Sequence, residues 1–245
     1  GLFRVAVEAR DGPMVFAVAT AAEKRACSAA IEAASAHNEK HSHFLQTGSG
    51  PLCLETLAPR ITPLGAAGLI SIGTAGGLSR SITPGTLLVP KRIILGDGRV
   101  LSTDPDWQAQ VYRTLEPHMP VHSGDLLTVS ELVRRPEQKR ALRSETKAVG
   151  VDMESGYLAQ LAEQIGLRVL VFRAVMDAVD DEIPGAAVAA VNDQGDTVIG
   201  GLLKYLLRHP GDLPGMIRTA RRFRVAAESL GEACRVARDA LLRSP

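Results

Sequence analysis

The stretch from Val149 to Asp177 constrains this chain more than any other, because it leaves almost no room between three elements. An apolar run through Val151 has the character of a buried strand and ends in Asp152-Met153-Glu154. Ser155 to Ile165 then carries apolar residues at helical spacing (Leu158, Leu161, Ala162, Ile165), and Gly166 stops the helix. A second buried strand, Arg168 to Ala174, follows at once. A strand-helix-strand unit this short normally makes two parallel neighbours, so Glu154 and Asp177 are expected just past the ends of adjacent strands. They would then open onto the same sheet edge, which is where open α/β folds bind ligands.

The rest of the chain repeats this alternation. Met14 to Ala19 reads as a strand and Ala21 to Ala33 as an Ala-rich helix. His43 to Thr47 reads as another strand, ending in the turn signal Thr47-Gly48-Ser49-Gly50-Pro51 before a helix over Leu52 to Pro59. Gly68 to Ile72 and Thr86 to Val89 are expected strands on either side of a glycine-rich loop, Gly73-Thr74-Ala75-Gly76-Gly77. Helices are expected over Asp106 to Leu115 and Pro136 to Ser144, with a strand at Asp125 to Val129 between them. The alternation predicts an α/β fold of three layers, α/β/α, around a mixed, largely parallel sheet covered on both faces.

With 245 residues and 45% hydrophobic content, the chain can bury one large core, and no internal repeat or low-complexity linker divides residues 1 to 205. Residues 206 to 245 differ. Apolar positions from Leu213 through Met216, Ile217, Ala220, Phe223, Ala227 and Leu230 to Cys234 are interleaved with Arg218, Arg221, Arg222, Arg224, Arg235 and Arg238. That is a basic amphipathic helical extension, suited to packing on its own domain, on a second subunit or on a membrane surface.

A formal net charge of +1 gives no global field to attract nucleic acid. Cys27, Cys53 and Cys234 are odd in number and lack CxxC spacing, as expected of free thiols in a reducing compartment. His41-Ser42-His43 looks like a metal pair only superficially, since no third ligand is evident, and no metal or other cofactor is expected. No apolar run reaches the roughly 18 to 20 residues of a membrane span, so the expected location is cytoplasmic, with peripheral contact at the inner membrane face left open to the C-terminal helix.

Taken alone, Asp177 fits a helix N-cap as well as an acid, and Glu154 fits a solvated first-turn residue stabilised by the helix dipole. The surrounding pattern changes both readings. Asp152-Met153-Glu154 before a helix, Arg173-Ala174-Val175-Met176-Asp177 at a strand end, and Gly73-Thr74-Ala75-Gly76-Gly77 followed by Pro84 to Pro90 resemble the nucleoside phosphorylase and nucleosidase superfamily. The resemblance implies cleavage of the N-glycosidic bond of a nucleoside. It implies that Asp177 protonates a departing purine, with Asp rather than Asn suiting a 6-aminopurine, and that Glu154 binds the ribose hydroxyls while Met153 faces the sugar. It places Thr74 near the attacking group, Ala75 and Gly76 beside the base, and Leu132 and Val133 where relatives clamp the purine. Asp152 departs from the Glu common in relatives and is assigned no chemistry.

Water and phosphate both remain open as the attacking group. The resemblance makes Glu23, in Ala19-Thr20-Ala21-Ala22-Glu23-Lys24, a candidate base for activating water, with an exposed helix residue as the alternative. Ser71 stands where bacterial purine phosphorylases place an Arg, which weakens phosphate as cosubstrate, although Lys24 and Arg25 could compensate. The Val-Asp-Met-Glu-Ser sequence and the basic tail are most similar to the hopanoid-associated phosphorylase subgroup. That likeness implies release of adenine from adenosylhopane, a nucleoside with a lipid 5′ substituent, by a homodimer. The alternatives are a methylthioadenosine or adenosylhomocysteine nucleosidase, another purine phosphorylase, or a nucleoside-binding regulator without catalysis.

Overall fold

One strand organises the sheet. In the computed structural model, which describes residues 12–35, 42–185, 187 and 208–243, β3 spans Gly68–Gly77 and is paired along its whole length. On one side lies β10 (Val169–Asp177), parallel to it from Leu69 to Gly76. On the other side two strands share the work. β1 (Met14–Val18) pairs in parallel with residues 68 to 72, and β9 (Gly150–Asp152) pairs antiparallel with Gly76 and Gly77. β2 (Ser42–Gln46) extends the sheet beyond β1.

The remaining strands are short: β4 (Leu87–Leu88), β5 (Arg92–Leu95), β6 (Val100–Ser102), β7 (Val121–His122) and β8 (Leu126–Thr128). They complete a mixed ten-stranded sheet in the order β6-β5-β8-β9-β3-β10-β4-β7, with β1 and β2 branching from β3. The expected α/β class with a mixed sheet is the one observed.

Two expectations change here. β9 and β10 are not parallel neighbours: β3 lies between them, and β9 runs antiparallel to it. The glycine-rich segment is not a loop either, because Gly73 to Gly77 continue β3. Both differences have one cause. The ten-residue β3 outruns the five-residue β1, and Gly76 and Gly77 at its far end take β9 as their partner. Without side chains, its glycines let carboxylates crowd the strand: a Cβ on Gly76 would stand 3.3 Å from Asp177 Oδ2. The shared edge expected for Glu154 and Asp177 becomes two flanks of one strand.

Strand alternation sends side chains to two cores. Met14, Phe16, Val18, Ile70, Ile72, Leu170 and Phe172 face α1 (Ala21–Ser35), α3 (Pro105–Leu115) and the C-terminal helices α6 (Leu213–Val236) and α7 (Arg238–Leu242). Val15, Ala17, Leu69, Val169 and Val171 face α2 (Leu52–Ile61) and α5 (Ser155–Gln164). α4 (Pro136–Thr146) runs beyond the sheet between β8 and β9.

The second half of α6 belongs to the first core through Ala226, Leu230, Ala233 and Cys234, whereas Leu213 and Ile217 in its first half are about half exposed. Trp107 Nε1 donates to the Ala240 carbonyl at 2.7 Å and fixes α7. Gly231 sets how closely α6 approaches α1: a Cβ there would lie 2.8 Å from the Ala26 carbonyl oxygen. Gly231→Leu is therefore expected to lower stability by about 1–3 kcal/mol, the usual cost of overpacking, despite the better helix propensity of Leu. Urea denaturation measures it, and an unchanged midpoint would mean that α6 is not seated on α1 as described.

Candidate active site

The second half of β3 is lined by buried charge. Thr20 and Glu23 open α1 as a reciprocal capping box: Glu23 N donates to Thr20 Oγ1 at 3.2 Å, and Thr20 N donates to Glu23 Oε2 at 3.0 Å. The cap turns the other carboxylate oxygen onto β3, where Oε1 accepts from Thr74 N at 2.8 Å and Thr74 Oγ1 at 3.2 Å. Glu23 is thus buried at 3% exposure, which removes the alternative of an exposed helix residue.

Arg173, from the middle of β10, is buried as well. Its Nε donates to Asp152 Oδ2 and its Nη2 to Ser71 Oγ, each at 2.8 Å. Ser71 therefore serves to hold this guanidinium. Arg173 Nη1 has no hydrogen-bond partner and is buried. The side of Gly73 that a Cβ would fill lies 2.8 Å from that Nη1 and 2.9 Å from Glu23 Oε1, so the unused donor and the carboxylate look toward the same small space.

Asp152 is the anchor on the far side. Its Oδ1 accepts from Thr128 Oγ1 at 2.7 Å, and its Oδ2 takes Ser155 N at 3.1 Å and a short hydrogen bond from Ser155 Oγ in addition to Arg173. These contacts hold the start of α5 and with it Glu154. Gly50 N donates to Glu154 Oε1 at 3.2 Å, an approach made possible by the left-handed φ of 64° at Gly50. Met153 lies alongside, its Cε 3.8 Å from where a Gly50 Cβ would stand.

Burial, with the nearby negative charge of Asp152, pushes the Glu154 carboxyl up to about 8, against the pull of Arg173. Burial beside Glu154 and Asp152 likewise pushes the Cys53 thiol up to about 12, which keeps it a thiol and a poor nucleophile.

Asp177 occupies the opposite flank. A register shift between Val175 and Asp177 sets its carboxylate against Gly76, the kind of re-aiming that β-bulges produce beside sites. Its Oδ2 is in hydrogen-bonded ion-pair contact with Lys139 Nζ from α4. Burial raises the Asp177 carboxyl and Lys139 opposes the shift.

Glu23, Thr74, Gly76, Glu154 and Asp177 are thus collected along one strand. Ala75 turns its side chain into the apolar core and can offer a ligand only its backbone. Leu132 and Val133 stand in the loop after β8; Leu132 is 42% exposed, and Val133 packs on Leu78, Leu127 and Val151. Among the described residues, no group of three or more His, Cys, Asp or Glu could hold a metal ion, and His41 lies outside them. Sequence reasoning missed Lys139 altogether and gave Asp152 no role. Nothing in Pro136-Glu137-Gln138-Lys139-Arg140 distinguishes a buried ammonium from the exposed charges around it.

The family model of the phosphorylase superfamily matches residues 25–208. The chain belongs to the phosphorylase superfamily. It is an enzyme of the nucleosidase and nucleoside phosphorylase kind. Many solved structures share its fold. Futalosine hydrolase of Helicobacter pylori has 15% identity and a TM-score of 0.71, over 93% of this chain and 97% of that one. The 5′-methylthioadenosine/S-adenosylhomocysteine nucleosidase of Helicobacter pylori has 16% identity and a TM-score of 0.69, over 91% and 95%. The corresponding nucleosidase of Neisseria meningitidis, solved with methylthio-immucillin-A, has 16% identity and a TM-score of 0.65, over 91% and 99%. No curated protein matches the chain in sequence.

The raised Glu154 carboxyl has a consequence for stability. Its folded value lies above its ordinary value of 4.5, so its contribution is fully present below that pH and is lost as pH rises through about 8. The loss accumulates over the interval between those two values. Urea midpoints of the ligand-free protein are expected to fall between about pH 5 and pH 8, and those of Glu154→Gln to stay flatter over that range. Parallel curves for the two proteins would reject this account of Glu154.

Proposed function

We propose that the protein releases adenine from an adenine nucleoside by attack of water, with Glu23, Arg173, Glu154 and Asp177 as its working residues. The observation that carries this reading is the unpartnered Arg173 Nη1 facing Glu23 Oε1 across Gly73. A water between them would meet a donor and an acceptor. Phosphate would meet one guanidinium already surrounded by the carboxyl groups of Asp152, Glu154 and Glu23. Lys24 and Arg25 are not needed for the anchor, since Arg173 supplies the charge in the interior.

In this mechanism the C1′–N9 bond breaks as Asp177 gives a proton to N7, so that adenine leaves neutral. Glu23 takes a proton from water while its oxygen bonds to C1′. Glu154 accepts hydrogen bonds from the ribose hydroxyls, and positive charge developing on the sugar draws its carboxyl toward the ionised form. Met153 faces the sugar, Thr74 holds Glu23, Gly76 and the Ala75 backbone line the base, and Leu132 and Val133 border it. No cofactor takes part.

Within this class we favour adenosylhopane, which would leave ribosylhopane, over methylthioadenosine and adenosylhomocysteine, the substrates in the names of two of the structural relatives. Supporting it is the first half of α6, where exposed Leu213 and Ile217 stand among exposed Arg218, Arg221 and Arg224. An apolar patch among arginines suits an anionic lipid surface, where a lipid-linked nucleoside would be found. We treat residues 1–205 as the catalytic unit, residues 206–245 as this extension and the assembly as a homodimer. No helix among the described residues is long and apolar enough to cross a membrane.

Free adenine, measured after incubation with adenosylhopane or methylthioadenosine, with and without phosphate, tests the reading. Adenine is expected without phosphate, and Asp177→Asn is expected to lower its release at least about a hundredfold, as loss of a general acid does. Strict dependence on phosphate would overturn water as the attacking group, and wild-type turnover by Asp177→Asn would overturn the assignment of the acid.

The lipid contact has its own test. The protein is expected to co-sediment with anionic vesicles and to be released by salt, each basic residue near the surface contributing about 1 kcal/mol. Leu213→Ser/Ile217→Ser is expected to lower activity on vesicle-borne adenosylhopane while sparing soluble nucleosides. Equal losses on both substrates would reject the membrane contact.

A further inference from the structure

Lys139 is fully buried on α4, although lysine is among the residues least often found without solvent. All three donors of its ammonium are used. One is on Asp177 Oδ2, one reaches the Ala178 carbonyl at 2.9 Å and one the Asp181 carbonyl at 2.8 Å. The turn that supplies those carbonyls is itself fixed twice. Ala178 N donates to Asp181 Oδ2 at 2.8 Å, and Arg222 Nη2 from α6 donates to Asp181 Oδ1 at 2.6 Å. α4 and the end of β10 therefore meet at one ammonium and one carboxylate, and α6 reaches the adjoining turn through Arg222 and Asp181. None of the contacts described engages Asp177 Oδ1.

We propose that Lys139 is a positioning residue for the reaction: it grips one oxygen of Asp177 and stabilises the carboxylate that remains when the other oxygen gives its proton to the departing base. This rests on the adenine-releasing function proposed above. The step balances without a further reactant. The Asp177 Oδ1–H bond breaks, N7–H forms, the C1′–N9 electron pair goes to the base, and the new carboxylate is left beside Lys139, which stays protonated. An aspartic acid buried with no cation would be a poor proton donor, because its conjugate base would be a buried, unanswered charge. Lys139 answers it at the moment it forms.

The groups facing Asp177 are Lys139 from α4, Asp181 from the following turn and Arg222 from α6. Lys139 and Arg222 favour its ionised form, while burial and Asp181 disfavour it. Removing the Lys139 charge should therefore raise the pH at which Asp177 ionises. The acid form would persist to higher pH but would be a weaker donor.

Lys139→Met tests this with two readouts. In protein carrying 13Cγ-labelled aspartate, with the Asp177 signal identified by its loss in Asp177→Asn, titration is expected at least about one pH unit higher in Lys139→Met than in wild type. In adenine release, the alkaline limb of kcat/KM should move upward by a similar amount while the plateau falls at least about tenfold. A fall of the plateau with both limbs in place, or an unmoved Asp177 signal, would reduce Lys139 to a structural part and overturn the proposal.

Should Lys139→Met not fold, Lys139→Arg carries the test by keeping the charge. Its alkaline limb should stay within about half a pH unit of wild type, and a limb displaced by a unit or more despite the retained charge would overturn the proposal. Turnover by wild type tests the function and the NMR titration tests the ion pair, so failure of one is seen separately from failure of the other.

Discussion

A buried guanidinium must be answered on every side, and the Arg173 side chain organises the interior of this protein for that reason. Asp152 takes its Nε and Ser71 its Nη2, while Nη1 has no hydrogen-bond partner. Removing one partner from such a pair costs about 3–5 kcal/mol, because the charge that stays behind is unanswered. The arrangement joins three parts of the chain. Arg173 comes from β10, Ser71 from β3 and Asp152 from β9, and Asp152 in turn holds the first turn of α5. Glu154 follows Asp152 by two residues, so the pair that fixes the strands also fixes the Glu154 carboxyl.

The second ion pair answers a different need. Asp177 lies on the opposite flank of β3, beyond the register shift in β10, and its cation comes from a helix outside the sheet. The two pairs do not share a residue. The first answers Asp152 with Arg173 and the second answers Asp177 with Lys139. The glycines of β3 make this possible. A side chain at Gly73 would collide with Arg173 and Glu23, and one at Gly76 would press on Asp177. The glycine-rich sequence is there for the neighbours of the strand, not for a turn.

Much of this was legible beforehand. Periodicity located β1, α1, α2, α5 and β10 to within a few residues, since buried strands and amphipathic helices write their exposure directly into apolar spacing. Glu23, Glu154 and Asp177 stood out by motif, and all three prove to be buried. The partners were not legible. Lys139 lies 38 residues from Asp177, and Gly50 lies 104 residues from Glu154. Strand order failed for a related reason. The Val149 to Asp177 stretch suggested adjacent parallel strands, but adjacency is decided by what else competes for the edge, and the longer β3 won it.

By itself, then, the sequence determined the class of fold and the elements at its centre, and it singled out three acidic residues that prove to be buried. Local spacing and composition carry that information, because each element must bury its own apolar face whatever its neighbours are. Only the tertiary structure decided which charges meet. It set Arg173 between Ser71 and Asp152, turned Glu23 onto Thr74 and brought Lys139 under Asp177. Those choices depend on distances of a few ångströms between segments far apart in the chain, where a charge is stable in the interior only if its partner arrives with it.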